Sequence, residues 1–317
     1  MTDIKVRVTH IGVETPHIRT LRLVREDGRR FEPYRAGAHI DVVGPTGVLR
    51  QYSLCSPPAE SDSQLIAVKL EPDSRGGSAA LHQVGEGDVL AIGEPRNLVA
   101  VVEGADQHLL VAGGVGITPM LSLAYELHER GEEFRLVYFA RSREHGAFVD
   151  LLEVADFAAR VEIHLGVPRG DQRTLLREAL ETTTASSHVY TCGPTGFMEQ
   201  VTAVAAPVVG ERNVHVEHFE AAEIDTSEDD SFTVELDTGE SFEIPADRSI
   251  LSVLTDNGID VFKSCEEGIC GSCVSGVLEG VPDHRDNCLS AADKQAGDQM
   301  ALCVSRAKSP KLVIELY

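Results

Sequence analysis

Cys265, Cys270 and Cys273 stand in the spacing C-x4-C-x2-C, and 29 residues separate Cys273 from Cys303. Four thiolates in this order are the ligand set of a plant-type [2Fe–2S] cluster. Two irons bridged by two sulfides need four thiolates. A tight loop supplies three of them and a distant strand supplies the fourth. Gly268, Gly271 and Ser272 lie within this loop. Small residues there let backbone N–H groups turn toward the sulfurs, which stabilises the reduced cluster. A zinc site is the alternative, but zinc usually takes two C-x2-C pairs or mixed Cys/His spacing, and this stretch has a single C-x2-C. Cys288 does not fit the ligand spacing and reads as a bystander thiol. His284-Arg285-Asp286 mimics a kinase catalytic loop, yet no Gly-rich kinase loop or DFG accompanies it.

Two further constellations carry chemistry. Arg50-Gln51-Tyr52-Ser53-Leu54 reads as a strand, followed by Val68-Lys69 and then by Arg75-Gly76-Gly77-Ser78 opening a helical run. Glycines and a serine at a helix start leave N–H groups free for a phosphate. An Arg and a Tyr on one strand with such a cradle about 25 residues on is consistent with a flavin site. Alone, the strand could equally carry a solvent-facing Arg. Gly113-Gly114-Val115-Gly116-Ile117-Thr118-Pro119 follows a strand and opens a helix. Glycines there permit close approach to a pyrophosphate held by the helix N-terminus. The spacing is not G-x-G-x-x-G, and a simple cap at Thr118 with Pro119 at the first helical position is the competing explanation. Cys192-Gly193-Pro194-Thr195-Gly196 is a second turn of the same kind. Two such turns at neighbouring carboxyl ends of a parallel sheet would mark a ligand crevice, although Cys192 could be only a small buried hydrophobe.

The elements that must hold these residues fall into blocks. Residues 1–100 contain short alternating runs (IKVRV, IRTLRLV, HIDVV, RQYSLC, LIAVKL, VLAIG) split by Gly/Pro turns, the pattern of an antiparallel β-barrel or sandwich. Residues 101–222 alternate apolar strands with helical segments, which implies a parallel sheet with crossovers. Residues 223–230 (EIDTSEDD) are polar and acidic and read as a linker. Residues 231–317 carry the C-x4-C-x2-C cysteines.

The chain has 317 residues, with 51 acidic and 28 basic side chains and a net charge of −23. Hydrophobic residues make up 42%, enough for packed cores. So negative a chain argues against nucleic-acid binding, which needs Lys and Arg on phosphates, and against an anionic membrane surface. No segment approaches the ~20 apolar residues of a spanning helix, and the N-terminus lacks a signal-peptide core. A cytoplasmic location is expected. In that compartment seven cysteines point to metal or redox roles rather than disulfides. The last 97 residues hold 20 acidic and 7 basic residues. That acidity would suit steering toward a basic partner, or simply solubility.

Taken in order, R-x-Y-S, GGVGITPM, CGP and the cysteine spacing resemble the phthalate dioxygenase reductase and vanillate demethylase reductase family, over essentially the whole chain. The resemblance implies a ferredoxin-reductase-like antiparallel β-barrel binding FMN, an α/β parallel-sheet NAD-binding domain and an α+β plant-type ferredoxin domain of β-grasp type. It implies that Arg50, Tyr52, Ser53, Leu54, Val68, Lys69, Gly76, Gly77 and Ser78 contact FMN. Gly114, Gly116, Thr118 and Pro119 would hold the NADH pyrophosphate, and Cys192, Gly193 and Pro194 would flank the nicotinamide. Ser53, Cys192 and Phe219 would stand at the reacting centre, with Phe219 covering the isoalloxazine; an ordinary core Phe is the alternative. Cys265, Cys270, Cys273 and Cys303 match the cluster ligands. It further implies hydride transfer from NADH to flavin, then single electrons through the cluster to a separate terminal oxygenase of Rieske type, and a monomeric chain. With nothing ahead of the barrel, no fused oxygenase or haem domain is expected. A reductase for a haem-thiolate monooxygenase and a flavin-free carrier are the other readings. Arg141-Ser142-Arg143 after the second parallel strand would suit the 2′-phosphate of NADPH, against the NADH of the family.

Overall fold

The computed structural model describes residues 4–72 and 76–316, so Arg75 lies outside the described residues. The chain forms two compact units, Met1–Glu217 and His218–Tyr317.

The first unit begins with β1 (Ile4–Thr15), β2 (Ile18–Arg25), β3 (Ala38–Val43), β4 (Leu49–Ser53), β5 (Gln64–Lys69), α1 (Gly77–Leu81), β6 (Val89–Ile92) and β7 (Arg96–Asn97). Residues 4–8 of β1 alternate buried and exposed, as a strand with one wet face requires. The strands form an antiparallel sheet in the order β4-β3-β6-β1-β2-β5, with β7 on β3. The expected barrel is not closed by a ladder. Its two edges meet at the single bridge between Leu54 and Ile66. Pairing stops there because the chain runs on into Pro57-Pro58, which cannot donate backbone hydrogen bonds.

Next come β8 (His108–Gly113), α2 (Ile117–Glu129), β9 (Phe134–Ala140), α3 (Val149–Val154), β10 (Val161–Leu165), α4 (Arg169–Leu180), β11 (His188–Cys192), α5 (Thr195–Val209) and β12 (Val214–Glu217). These five strands are parallel, in the order β10-β9-β8-β11-β12. β8 is buried along its whole length, which explains its unbroken apolar run. The strand order reverses direction between β8 and β11, so their carboxyl ends frame the crevice where such sheets bind ligands. One core is shared by both sheets. Ile18, Ala36, Cys55 and Ala67 of the antiparallel part pack with Leu110, Ile117, Leu121 and Leu152 of the parallel part.

The second unit holds β13 (Phe232–Leu236), β14 (Ser241–Ile244), α6 (Ile250–Asp256), β15 (Val274–Glu279), β16 (Pro282–Asp283), α7 (Ala291–Ala296), β17 (Gln299–Ala301), β18 (Arg306–Ala307) and β19 (Lys311–Glu315). Its main sheet runs β14-β13-β19-β15-β17, with β13 parallel to β19. Ser249 caps α6 by accepting from Ser252 N. Ile250, Leu251 and Leu254 of α6 share a core with Val234, Leu302 and Ile314. This is the α+β arrangement expected of the segment. Among the described residues no helix is long and apolar enough to cross a membrane.

At the amino ends of the parallel strands, three imidazoles are packed together. His188 Nδ1 lies 2.9 Å from His215 Nε2. His215 stacks on Tyr190 at 4.6 Å, and His108 lies 5.8 Å from the same ring. Burial pushes His215 down to about 4 and lowers His108 and His188. A histidine whose folded value lies below its unfolded value takes up a proton on unfolding, so stability is present at neutral pH and is lost as pH falls from about 6.5 toward 4. The urea midpoint of the wild-type protein should therefore drop between pH 7 and pH 5, and His215→Phe should flatten that drop.

Candidate functional site

Ser53 ends β4, Cys192 ends β11 and Glu217 ends β12. All three are buried. The Ser53 hydroxyl donates to Glu217 Oε1 at 3.4 Å. Cys192 pairs with Glu217 in the parallel ladder. Burial pushes the Glu217 carboxyl up to about 8, with the Ser53 hydrogen bond pulling the other way. Its Oε2 finds no partner among the described residues. Burial likewise holds Cys192 well above a normal thiol, and the Glu217 charge adds to this. Cys192 is thus a neutral thiol suited to packing, not a nucleophile. Sequence reasoning found Ser53 and Cys192 and missed Glu217. The available signal was an ionisable residue at the carboxyl end of the last parallel strand, where ligands bind.

The two glycine turns meet beside this cluster. A Cβ on Gly116 would collide with the Cys192 carbonyl, and one on Gly193 would come within 3.0 Å of Gly113 O. Only glycine permits this approach. Gly114 has φ +58, which a side chain would strain. α2 starts at Ile117 with Gly116 as its N-cap, and no side chain caps it. The competing explanation, a simple cap at Thr118, therefore does not hold. The Thr118 hydroxyl instead donates to Val115 O at 3.0 Å, and Pro119 is the third helical residue. α5 begins after Pro194, also without a side-chain cap. Two uncapped helix starts beside the strand-order reversal suit a dinucleotide pyrophosphate.

On the antiparallel sheet, Arg50 and Tyr52 are half-buried on β4. A Cβ on Gly77 would sit 2.8 Å from Arg50 Cγ, so the glycine seats the arginine side chain. α1 has only five residues, so a phosphate here would rely on Arg50 more than on a helix dipole. Gly76 has φ +101. Ser78 Oγ accepts from Glu71 N, and Lys69 pairs with Glu71 at 2.8 Å. Leu54 and Val68 side chains belong to the core, which leaves only main-chain groups to meet a flavin. Phe219, in the second unit, is 38% exposed, so it is not the core Phe of the alternative reading.

The cysteines of the second unit form two pairs. The Cys265 thiol hydrogen-bonds to Cys270, which holds Cys270 below a normal thiol, and Cys303 bonds to Cys273, which lowers Cys273. Backbone N–H groups also face the sulfurs. Glu267 N donates to Cys265 Sγ at 3.3 Å and Cys265 N to Cys270 Sγ at 3.5 Å. Gly268, at φ +74, packs between Val304 and Asp286. Glu266 also has positive φ. That costs a non-glycine residue strain and bends the loop tightly. Among the described residues no three donors converge on one metal point. Two pairs, each suited to one iron of a binuclear cluster, fit the [2Fe–2S] reading better than mononuclear zinc. Cys288 stands apart from both pairs, with its thiol 3.5 Å from Asp286 Oδ2.

The 2Fe-2S iron-sulfur cluster binding domain matches residues 234–308. The chain is 42% identical to a vanillate O-demethylase oxidoreductase of Pseudomonas sp. (strain HR199 / DSM 7063), over 99% of this chain and 100% of that one. It is 38% identical to the solved structure of phthalate dioxygenase reductase, described as modular for electron transfer from pyridine nucleotides to [2Fe–2S], with a TM-score of 0.70 and coverage of 99% and 98%. The chain belongs to the vanillate O-demethylase oxidoreductase and phthalate dioxygenase reductase family. It is an oxidoreductase with a [2Fe–2S] domain, as the four cysteines indicated. A self-sufficient type IV cytochrome P450 monooxygenase is also similar, at 33% identity and a TM-score of 0.88. This chain covers 98% of its own length in that match but spans only 41% of the P450 chain.

Two outcomes follow. Cys303→Ser should abolish or cripple the cluster's visible absorption and leave reduction of bound flavin by NADH intact, as stopped-flow absorbance would show. Glu217 keeps a proton in the fold that the unfolded chain gives up. Its burial therefore destabilises the protein progressively as pH rises from about 4.5 toward 8. Glu217→Gln should remove this dependence, worth at most about 1.4 kcal/mol per pH unit, as measured by denaturation between pH 6 and 9.

Proposed function

We propose that this chain is the reductase component of a two-component oxygenase or demethylase system. It takes a hydride from NADH onto FMN and delivers single electrons through the [2Fe–2S] cluster to a separate terminal oxygenase. The observation that carries the reading is the buried meeting of Ser53, Cys192 and Glu217, in a chain that also holds two thiol pairs. A nicotinamide supplies two electrons at once and the cluster accepts one, so the flavin between them supplies the division.

The protein's own residues bind and orient. Gly114, Gly116, Thr118 and Pro119 hold the pyrophosphate at the start of α2, and Cys192, Gly193 and Pro194 shape the nicotinamide end. Arg50, Tyr52 and Ser53 line the flavin. Leu54 and Val68 contribute main chain, and Gly76, Gly77, Ser78 and Lys69 border its phosphate. Ser53 and Glu217 offer a hydroxyl and a protonated carboxyl next to the reacting atoms. Cys265, Cys270, Cys273 and Cys303 hold the cluster.

NADH over NADPH has support in the chain itself. Arg143 is tied to Asp150 at 2.5 Å and to Glu153, and Ser142 Oγ is 2.8 Å from His145 Nδ1. Two of the three residues suited to a 2′-phosphate thus have other partners. The likeness to a P450 monooxygenase chain favours one second reading, a haem-thiolate acceptor in place of a Rieske-type one.

Anaerobic titration of the purified protein tests the proposal. NADH should bleach a flavin band and a broader iron–sulfur band with about three electrons in all, and faster than NADPH does. A protein that shows the cluster but no flavin, unmoved by either nucleotide, would reduce the chain to a carrier.

A further inference from the structure

The acidic stretch before β13 reads as a linker, yet the structure ties both of its ends to the second unit. Asp229 is buried. The Arg285 guanidinium grips it with two parallel hydrogen bonds, Nη1 to Oδ2 at 2.9 Å and Nη2 to Oδ1 at 2.6 Å. Arg306 Nε approaches the same carboxylate at 3.5 Å. Arg306 also donates to the carbonyls of Asp230, Pro245 and Arg248 and lies over the Phe232 ring. Arg285 is braced in turn by Asp283 at 2.7 Å. Nine residues earlier, Asn287 Nδ2 donates to Glu220 O at 3.0 Å. Forked Arg–carboxylate pairing in a buried setting is the strongest and most directional ion pair a protein makes.

We propose that this network is a leash clamp: Arg285, Arg306 and Asn287 hold residues 220–230 on the ferredoxin unit and so limit the free tether between the two units to residues 218–220. The inference rests on the electron-relay reading above. Three residues reach about 10 Å. Released from the clamp, the tether would extend over residues 218–231, up to the start of β13 at Phe232. The local concentration of one tethered unit at the other falls roughly as the −3/2 power of tether length. Lengthening from 3 to 14 residues therefore lowers it about tenfold. The step this governs is internal: the reduced flavin loses one electron and the oxidised cluster gains it, with NADH as the source. Five of residues 223–230 are acidic, so the freed stretch would also extend by self-repulsion.

The test uses the full-length holoprotein. The double variant Asp229→Asn/Asn287→Ala, which releases both anchors, should slow cluster reduction after NADH mixing about tenfold, with the rate of flavin reduction and the cluster's EPR spectrum unchanged. Two insertions of six Gly/Ser residues keep the test sound if that variant does not fold. Placed between Phe219 and Glu220, the insertion lengthens the free tether and should slow cluster reduction about fivefold. Placed between Asp225 and Thr226, inside the clamped stretch, it should leave the rate unchanged. Small-angle X-ray scattering reads the clamp without electron transfer: the double variant and the first insertion should enlarge the radius of gyration, and the second should not. Equal effects from the two insertions, or a wild-type rate and size for the double variant, would overturn the clamp. A wild-type protein that NADH does not reduce, yet whose scattering follows this pattern, would overturn the relay reading and keep the clamp.

Discussion

A single buried hydrogen bond, from the Ser53 hydroxyl to the Glu217 carboxyl, sets the terms for the first 217 residues. It forms only if the end of an antiparallel strand is delivered to the carboxyl ends of two parallel strands. Loops alone could not hold that meeting. The shared core of Ile18, Ala36, Cys55 and Ala67 with Leu110, Ile117 and Leu121 makes the two sheets one body. Specific polar ties add to it, such as Glu126 accepting from Ala36 N and Glu14 accepting from Phe148 N. A flavin carried by one sheet and a nicotinamide carried by the other would then face each other without a rearrangement of the scaffold, which is how orientation contributes to rate.

The second unit solves a different problem. Its thiols must be held as two pairs with N–H groups aimed at sulfur, and the backbone must bend sharply to do it. Positive φ at Glu266, Gly268 and Gly271 provides the bend. Asp286 supports the bend from outside, through Leu289 N and Ser305 Oγ on its carboxylate and Gly268 packed against it. The triplet that mimics a kinase motif is therefore structural. Arg285 grips the connector, and Asp286 backs the cluster loop.

What the sequence made legible was local. Cysteine spacing, glycine turns and strand periodicity each act within a few residues, so the ligand set, both turns and the switch from antiparallel to parallel sheet could be read directly. What it hid was long-range. Glu217 lies 164 residues from Ser53, and its β12 neighbours gave no sign that the carboxyl is buried. The grip on Asp229 comes from Arg285, 56 residues away, so an acidic run looked like a solvated linker. The barrel expected from alternation is not closed by a ladder: its edges pair at the Leu54–Ile66 bridge, and the prolines that follow end the pairing. A cap at Thr118 was the competing explanation for the glycine turn, but the helix starts one residue earlier, at Ile117, with Gly116 as its N-cap.

The central claim is that hydride chemistry is completed in the first unit before any electron reaches the thiol pairs of the second. Rapid anaerobic mixing with NADH carrying deuterium at nicotinamide C4 tests it directly. The account predicts that deuterium slows bleaching of the flavin band, and that cluster bleaching follows as a later phase with no isotope sensitivity of its own. Cluster bleaching that precedes the flavin change, or that proceeds in a protein stripped of flavin, would contradict it.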